Sequence, residues 1–98
     1  MPRKPSTHRK DRNHDAVAAI AEAHGWQVVS LSSAGSGVPD LLCWRYPQGY
    51  RLVEVKAGKG AKLTEAQERF KRRYSMPILY VRSEEDAQFV FSTISVDR

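Results

Sequence analysis

Two strand-like segments joined by a short turn signal constrain the fold of this 98-residue chain more than any other feature. Val38–Trp44 and Tyr50–Lys56 are rich in aliphatic and aromatic side chains, and Pro47-Gln48-Gly49 between them is typical of a turn. The pattern predicts an antiparallel β-hairpin, in which residues of the first segment lie opposite residues of the second.

The predicted hairpin brings three ionisable residues together at its open end. If Pro47-Gln48-Gly49 forms the tip, Asp40 lies opposite Lys56, and Glu54 lies diagonal to Asp40. Side chains alternate between the two faces of a strand, so Glu54 and Lys56 share one face. The sequence therefore predicts that two carboxylates and one ammonium group converge.

This grouping suits metal-assisted hydrolysis of a phosphodiester. Mg²⁺ prefers oxygen ligands, which Asp40, Glu54 and the carbonyl of Val55 could supply. The ion would neutralise charge on the phosphate and acidify a bound water, while Lys56 could orient that water or stabilise the transition state. Each fragment alone also fits an ordinary turn or a surface ion pair, so the combination is the specific signal.

The rest of the chain sets this hairpin within an α-β-β-β-α-β-α order. Apolar residues at helical spacing predict a helix over Asn13–His24 that ends at Gly25, and Thr64-Glu65-Ala66-Gln67 matches a helix capping box. The other predicted elements are strands at Trp26–Leu31 and Pro77–Arg82, loops at residues 32–37 and 57–62, a helix from Thr64 to about Tyr74, and a helix from Ser83 to about Thr93.

The net charge of +5 favours a polyanionic partner. Residues 1–12 are basic, contain two prolines and show no apolar periodicity, so they are predicted to form a disordered basic tail. Residues 13–98 then form a single domain. A second basic cluster runs from Lys56 to Arg73, although a charge run alone also fits an ordinary solvated surface.

Composition limits the environment of the chain. Cys43 is the only cysteine, which excludes an internal disulfide and a zinc site built from several cysteines. We expect it to be a small buried side chain rather than a nucleophile. No apolar run approaches the length of a membrane span, and no secretory signal is evident. We therefore expect a cytoplasmic location and no membrane partner.

Together these motifs resemble the PD-(D/E)xK nuclease superfamily. The similarity rests on Gly37-Val38-Pro39-Asp40, on Leu52-Val53-Glu54-Val55-Lys56, and on Leu63-Thr64 followed by Gln67. Within the superfamily, the chain most resembles the small stand-alone VRR-NUC domains of phages and bacteria, and it is also similar to archaeal-type Holliday junction resolvases. The resemblance extends from about residue 13 to residue 87.

The resemblance implies a restriction-endonuclease-like α/β fold, with an αβββαβ core and a mixed central sheet flanked by helices. It also implies dependence on Mg²⁺ or Mn²⁺ and hydrolysis of phosphodiester bonds in DNA. Branched or otherwise structured DNA, such as a Holliday junction, is the expected substrate, and a homodimer is the expected assembly.

The family often carries an acidic residue on the first helix that aids metal binding, and two residues here are candidates for that place. Asp15 points almost opposite to the buried stripe that begins at Val17, whereas His14 lies beside that stripe and points toward the sheet. We therefore favour His14 as a site residue. A partly exposed first-turn histidine after an Asn13 cap fits the sequence equally well.

Two further polar residues have both a functional and a structural interpretation. Gln67 matches a glutamine that follows the lysine motif in the family, where it could contact the attacking water or the DNA backbone. It could equally complete the capping box with Thr64. Ser36, between two glycines, could bind a phosphate, although a plain flexible connector is slightly favoured there.

Five basic residues after the catalytic motif are candidate contacts to the DNA backbone. They are Lys59 and Lys62, which flank the predicted active strand, and Arg69, Arg72 and Arg73, which form one stripe on the following helix. Such a stripe would track phosphates without reading the base sequence.

Two functions of different class fit these residues. The first is a metal-dependent DNA endonuclease. The second is a non-catalytic nucleic-acid-binding module that retains a nuclease-like fold. The intact set of Asp40, Glu54 and Lys56 argues for the first.

Overall fold

The computed structural model describes residues 8–56, 58 and 60–93. Within these residues the elements follow the order α1 (His8–Ala23), β1 (Gln27–Ser30), β2 (Leu41–Arg45), β3 (Gly49–Val55), α2 (Glu65–Arg73), β4 (Ile78–Val81) and α3 (Glu84–Thr93). The predicted αβββαβ core, followed by a last helix, is therefore confirmed. None of the helices described is long and apolar enough to cross a membrane.

The four strands form one sheet in the order β1-β2-β3-β4. The first three strands pair antiparallel, and β4 pairs parallel with β3. A parallel pair needs a crossover connection, which the segment containing α2 provides. The expectation of a mixed central sheet is confirmed.

The register of the hairpin differs from the predicted one. The β2–β3 pairing centres on Pro47, one residue before the expected centre. Extending this register beyond β2 sets Asp40 opposite Glu54 rather than opposite Lys56. A one-residue shift of the tip moves every cross-strand partner by two residues, which is one full period of a strand. Each side chain therefore keeps its predicted face, and the three residues still meet.

α1 begins at His8, earlier than the predicted start at Asn13. Residues 8–12 contain no apolar side chain, so hydrophobic periodicity carries no signal there, yet their lysine and arginine residues have good helix propensity. This part of the predicted tail is thus helical. Residues 1–7 of the tail lie outside the described residues.

A glycine cap ends α1 where the sequence predicted. The backbone of Gly25 has a φ of +89°, a conformation that glycine adopts without strain. Its N–H donates to the carbonyl of Glu22 at 2.9 Å, and the N–H of Trp26 donates to the carbonyl of Ala21 at 3.1 Å. These two bonds form a Schellman motif, which turns the chain toward β1.

The core lies between α1, α3 and one face of the sheet. Its most buried side chains are Val17, Ala21, Trp26, Leu41, Cys43, Val53, Val81, Ala87 and Phe91. The rings of Trp26 and Phe91 pack edge to face with centroids 5.9 Å apart. The indole N–H of Trp26 donates to the carbonyl of Phe91, so this buried donor is satisfied.

The opposite face of the sheet is only partly covered. None of the residues of α2 is buried, and the helix meets this face through Gln67, close to Glu54. Farther along the same face, Val29 and Tyr50 are more than half exposed. The fold therefore has one well-packed side and one side with apolar surface.

Cys43 provides a test of the packed side. Its side chain is fully buried, and burial raises the pKa of its thiol to about 12. Because the thiolate is the reactive form, we expect the folded protein to resist an aromatic disulfide reagent at about pH 8 and to react once denaturant unfolds it. Absorbance of the released thiol reports the reaction. Rapid stoichiometric labelling of the folded chain would contradict this core.

Candidate active site

Asp40 is fixed by both its side chain and its backbone. The N–H of Val55 donates to Asp40 Oδ2 at 2.8 Å, and the carbonyl of Asp40 accepts from the N–H of Leu31 at 2.7 Å. Its side chain is 14% exposed. The Asp40 carboxylate is therefore held beside the Val55 peptide at the end of the sheet, with limited access to water.

Glu54, Lys56 and Gln67 form a buried hydrogen-bonded cluster. Gln67 Nε2 donates to Glu54 Oε2 at 2.5 Å, and Lys56 Nζ donates to Gln67 Oε1 at 2.8 Å. Lys56 Nζ is also 3.8 Å from Glu54 Oε2, and the two charged side chains are 10% and 4% exposed. Burying a charge is costly unless it is paired and hydrogen-bonded, and this cluster supplies both.

Gln67 also caps α2. Its Oε1 accepts a second bond from the N–H of Thr64 at 2.9 Å, and its own N–H donates to Thr64 Oγ1 at 3.1 Å. These bonds complete the predicted capping box. The capping role of Gln67 is thus confirmed, and the same amide side chain also bonds Lys56 and Glu54. Its contact with the attacking water or the DNA backbone stays a prediction.

His14, on α1, lies next to Asp40. Its Nε2 lies 3.5 Å from Asp40 Oδ1, and the residue is 5% exposed. Asp15, the other first-helix candidate, is exposed. Helical geometry alone separated these two neighbours, because one lies beside the buried stripe and the other points away from it.

The loop before Asp40 packs directly on the backbone of α2. Gly35, Ser36 and Gly37 have φ angles of +68°, +57° and +80°. A Cβ added at Gly37 would lie 2.1 Å from the carbonyl oxygen of Ala66. Ser36 is exposed between the two glycines. The sequence showed that this loop consists of small residues, but it did not indicate that the loop contacts α2.

Tyr80 is a neighbour of the cluster that the sequence did not single out. It pairs with Glu54 across β3 and β4, so both side chains share one face. Burial raises the pKa of the Tyr80 hydroxyl, the carboxylates of Glu54 and Glu68 raise it further, and Arg82 opposes them. The hydroxyl therefore stays protonated near neutral pH. In the sequence Tyr80 is one tyrosine in a strand of apolar residues, so nothing there indicated that it lies beside Glu54.

The candidate DNA contacts are spread around the cluster. Lys59 lies outside the described residues, and Lys62 is exposed on the segment before α2. The three arginines of the α2 stripe are all exposed: Arg69, Arg72 and Arg73. Because each residue advances a helix by about 100°, they lie roughly 140–240° around the axis from Gln67. The stripe therefore faces away from the cluster.

Comparison with known proteins gives two matches. The model of the VRR-NUC domain family matches residues 4–74, which include the hairpin and all of α2. A solved structure described as a VRR_NUC domain aligns with a TM-score of 0.70 at 28% sequence identity, and the match covers 87% of this chain and 96% of that chain. A comparison with curated proteins finds no match.

Gly37 offers a test of the contact between the loop and α2. Replacing Gly37 with alanine adds a Cβ that overlaps the Ala66 backbone, whereas Gly49, with a φ of +90°, has open space around it. Both alanines strain a left-handed backbone, and only the first adds an overlap, which typically destabilises by about 1–3 kcal/mol.

We therefore expect Gly37→Ala to unfold at least about 4 °C below Gly49→Ala, since 1 kcal/mol shifts the midpoint of a domain this small by about 4–8 °C. Thermal unfolding followed by circular dichroism measures this difference. Equal midpoints for the two variants would exclude the close approach.

Proposed function

The chain belongs to the VRR-NUC domain family, within the PD-(D/E)xK nuclease superfamily, and on this premise we propose that it is a metal-dependent endonuclease that hydrolyses phosphodiester bonds in DNA. Membership of a nuclease domain family supports DNA as the substrate. The single observation that carries the proposal is the cluster of Glu54, Lys56 and Gln67 beside Asp40, since it combines buried carboxylates with a fixed cation.

The donor set fits a divalent cation such as Mg²⁺ or Mn²⁺. No three histidine, cysteine, aspartate or glutamate side chains in the described part of the chain form a group that could hold a metal ion. Mg²⁺, however, usually takes only one or two carboxylates, with water and phosphate as its other ligands. Asp40 and Glu54 would be the carboxylates, and the Val55 carbonyl would be a third oxygen. When bound, the ion would supply positive charge against the phosphate and lower the pKa of nearby water.

Lys56 would stabilise the charge that develops on the phosphate or orient the attacking water. The 2.8 Å bond to Gln67 fixes its ammonium group, and Lys56 is 8% exposed. A charge in so dry an environment acts more strongly than one at the surface. Because Gln67 already holds it, little reorganisation is needed when the substrate binds.

His14 would orient Asp40. Asp40 Oδ1 faces His14, and Oδ2 accepts from the Val55 N–H, so each carboxylate oxygen has its own neighbour. Restraints of this kind hold a ligand in the geometry that its metal requires, and their loss typically lowers activity by about 10- to 100-fold.

The DNA backbone would approach over the segment that carries Lys62, and Lys59 and Ser36 are further candidate phosphate contacts. The α2 stripe faces away from the cluster, so we assign it a role in attracting DNA through the +5 charge of the chain rather than in holding the scissile phosphate. The target would be branched or structured DNA, such as a Holliday junction. The single free cysteine, Cys43, suits action in a reducing cytoplasm.

We further propose that the protein acts as a homodimer, joined through the uncovered face of the sheet. We define this apolar face by seven residues: Val29, Leu42, Trp44, Tyr50, Leu52, Met76 and Pro77. Two grooves of about 530 and 420 Å³ flank Tyr50, and both are lined by Tyr50 and Leu42, so they are adjacent. Contiguous exposed apolar surface of this kind usually marks an interaction site.

A second copy of the chain is the occupant that this apolar face fits best. A two-fold interface pairs a surface with itself, so a charged surface would face its own charge. Apart from Arg51, whose side chain alternates to the other face of β3, no residue that lines the two grooves is charged, although the chain carries +5. Tyr50, which is 66% exposed, stands between two grooves that could receive the same ring from the partner. Two active centres in one dimer would suit paired cuts in a four-way junction.

Cleavage assays test the catalytic proposal. We expect Asp40→Asn, Glu54→Gln and Lys56→Met each to slow cleavage by about 100-fold or more, because each removes charge stabilisation in a dry site. Asp15→Ala removes an exposed carboxylate next to His14 and should leave the rate unchanged. Labelled duplex, flap and four-way DNA would be incubated with Mg²⁺, Mn²⁺ or EDTA.

Full activity in EDTA would contradict the metal-dependent mechanism. Salt-sensitive binding with no cleavage of any substrate would instead support the non-catalytic binding module.

The mass in solution tests the dimer. We expect the protein to sediment at twice its chain mass of 11.1 kDa. Tyr50→Glu should give a monomer, because it puts two like charges at the centre of the interface, whereas Tyr46→Glu changes a ring that is 80% exposed outside the apolar face and should leave the dimer intact. A monomeric unmodified protein, or a dimeric Tyr50→Glu variant, would overturn the assignment.

A further inference from the structure

The segment between Lys56 and α2 joins the two halves of the candidate site. Lys56 follows β3, and Gln67 lies in the first turns of α2, so the intervening residues determine how far apart these two side chains can lie. The described part of the segment is neither helix nor strand. Contacts from outside the segment therefore help to fix its geometry.

α2 itself has few anchors on the sheet. None of its residues is buried. Gly37 meets its backbone at Ala66, and Gln67 bonds Lys56 and Glu54. With so few anchors, a change in the preceding segment would be transmitted to Gln67.

Arg82 supplies the external contacts to this segment. Its Nη1 donates to the carbonyl of Ala61 at 2.8 Å and to the carbonyl of Gly58 at 3.2 Å. Its own carbonyl accepts from the N–H of Gly58 at 3.3 Å. One arginine therefore bonds two residues of the segment, Gly58 and Ala61.

Arg82 is also well anchored itself. It directly follows β4, and its N–H donates to Asp86 Oδ2 at 2.9 Å in the first turn of α3. The preceding residue, Val81, is fully buried, and its carbonyl accepts from the N–H of Lys56 at 2.9 Å. Arg82 thus connects a rigid part of the core to the segment that leads to α2.

We propose that Arg82 is a positioning residue, which clamps the segment between Lys56 and α2 and so keeps Gln67 in contact with Lys56 and Glu54. The effect on catalysis rests on the proposed nuclease function, whereas the clamp itself does not. In this scheme Arg82 is assigned neither to the reacting phosphate nor to the metal. It acts through the geometry of the segment.

Two variants test whether the clamp depends on the donors and charge of the Arg82 side chain rather than on its length. Arg82→Met keeps an unbranched chain but removes every donor and the charge, whereas Arg82→Lys retains the charge and three N–H donors. Arg51→Met is the matched control, because Arg51 Nη1 also donates to two backbone carbonyls, those of Gln48 and Tyr50, at the hairpin end of the sheet.

The first readout is proteolysis, which needs no enzymatic activity. Trypsin cuts after Lys62, within the clamped segment, and mass spectrometry identifies that fragment. We expect Arg82→Met to be cut there at least about tenfold faster than the unmodified protein, since local opening exposes the bond. Arg51→Met should match the unmodified protein, and Arg82→Lys should recover at least half of the protection. Thermal unfolding confirms that each variant is folded.

The second readout is the kinetics of DNA cleavage with Mg²⁺ or Mn²⁺. Misplacement of a catalytic group by about 1 Å can slow a reaction about 100-fold, so we expect kcat of Arg82→Met to fall at least about tenfold while KM for DNA changes less than threefold. Arg82→Lys should restore most of kcat. Loss of a charge alone would instead raise KM and would do so equally in Arg51→Met.

The two readouts keep the outcomes distinct. If the unmodified protein cleaves no DNA, the proposed function fails, yet faster cutting after Lys62 in Arg82→Met still supports the clamp. Unchanged proteolysis in Arg82→Met overturns the clamp whatever the activity. Faster proteolysis with an unchanged kcat overturns the positioning role.

Discussion

A buried carboxylate that must be paired holds α2 against the sheet. Glu54 is 3% exposed, and an unpaired charge at such a site would cost several kcal/mol. The side-chain amide of Gln67 and the ammonium group of Lys56 satisfy it. Because Gln67 belongs to α2 and also closes the cap of that helix, the same interaction docks α2 on the sheet. A single polar contact therefore positions both a structural element and the candidate chemistry.

Two other features of the molecule help to hold α2 in the position that this contact needs. Gly37 carries no side chain because the loop before Asp40 approaches the backbone of α2 too closely for a Cβ. Arg82 holds the segment that leads into α2. α2 has no buried residue of its own, so hydrophobic packing contributes little to its placement. In the proposed function, this makes the geometry of the site sensitive to residues that never touch the substrate.

The order of elements and the convergence of Asp40, Glu54 and Lys56 could be predicted because both depend on local patterns. Strand alternation, the capping box at Thr64 and the glycine after α1 each report on a few neighbouring residues. The register was wrong by one residue at the tip, since a proline near a turn does not define its centre. The roles of Gly37, Tyr80 and Arg82 could not be predicted, because each depends on a contact with a segment distant in the sequence.

The most direct test of a single cooperative site is a double-mutant cycle between Asp40 and Lys56. Cleavage of four-way DNA would be measured under single-turnover conditions for Asp40→Asn, Lys56→Met and the combined variant. Residues that act as one catalytic unit are strongly non-additive. We expect the combined variant to be about as slow as the slower single variant. Effects that multiply would show two independent contributions and would contradict a single cooperative site.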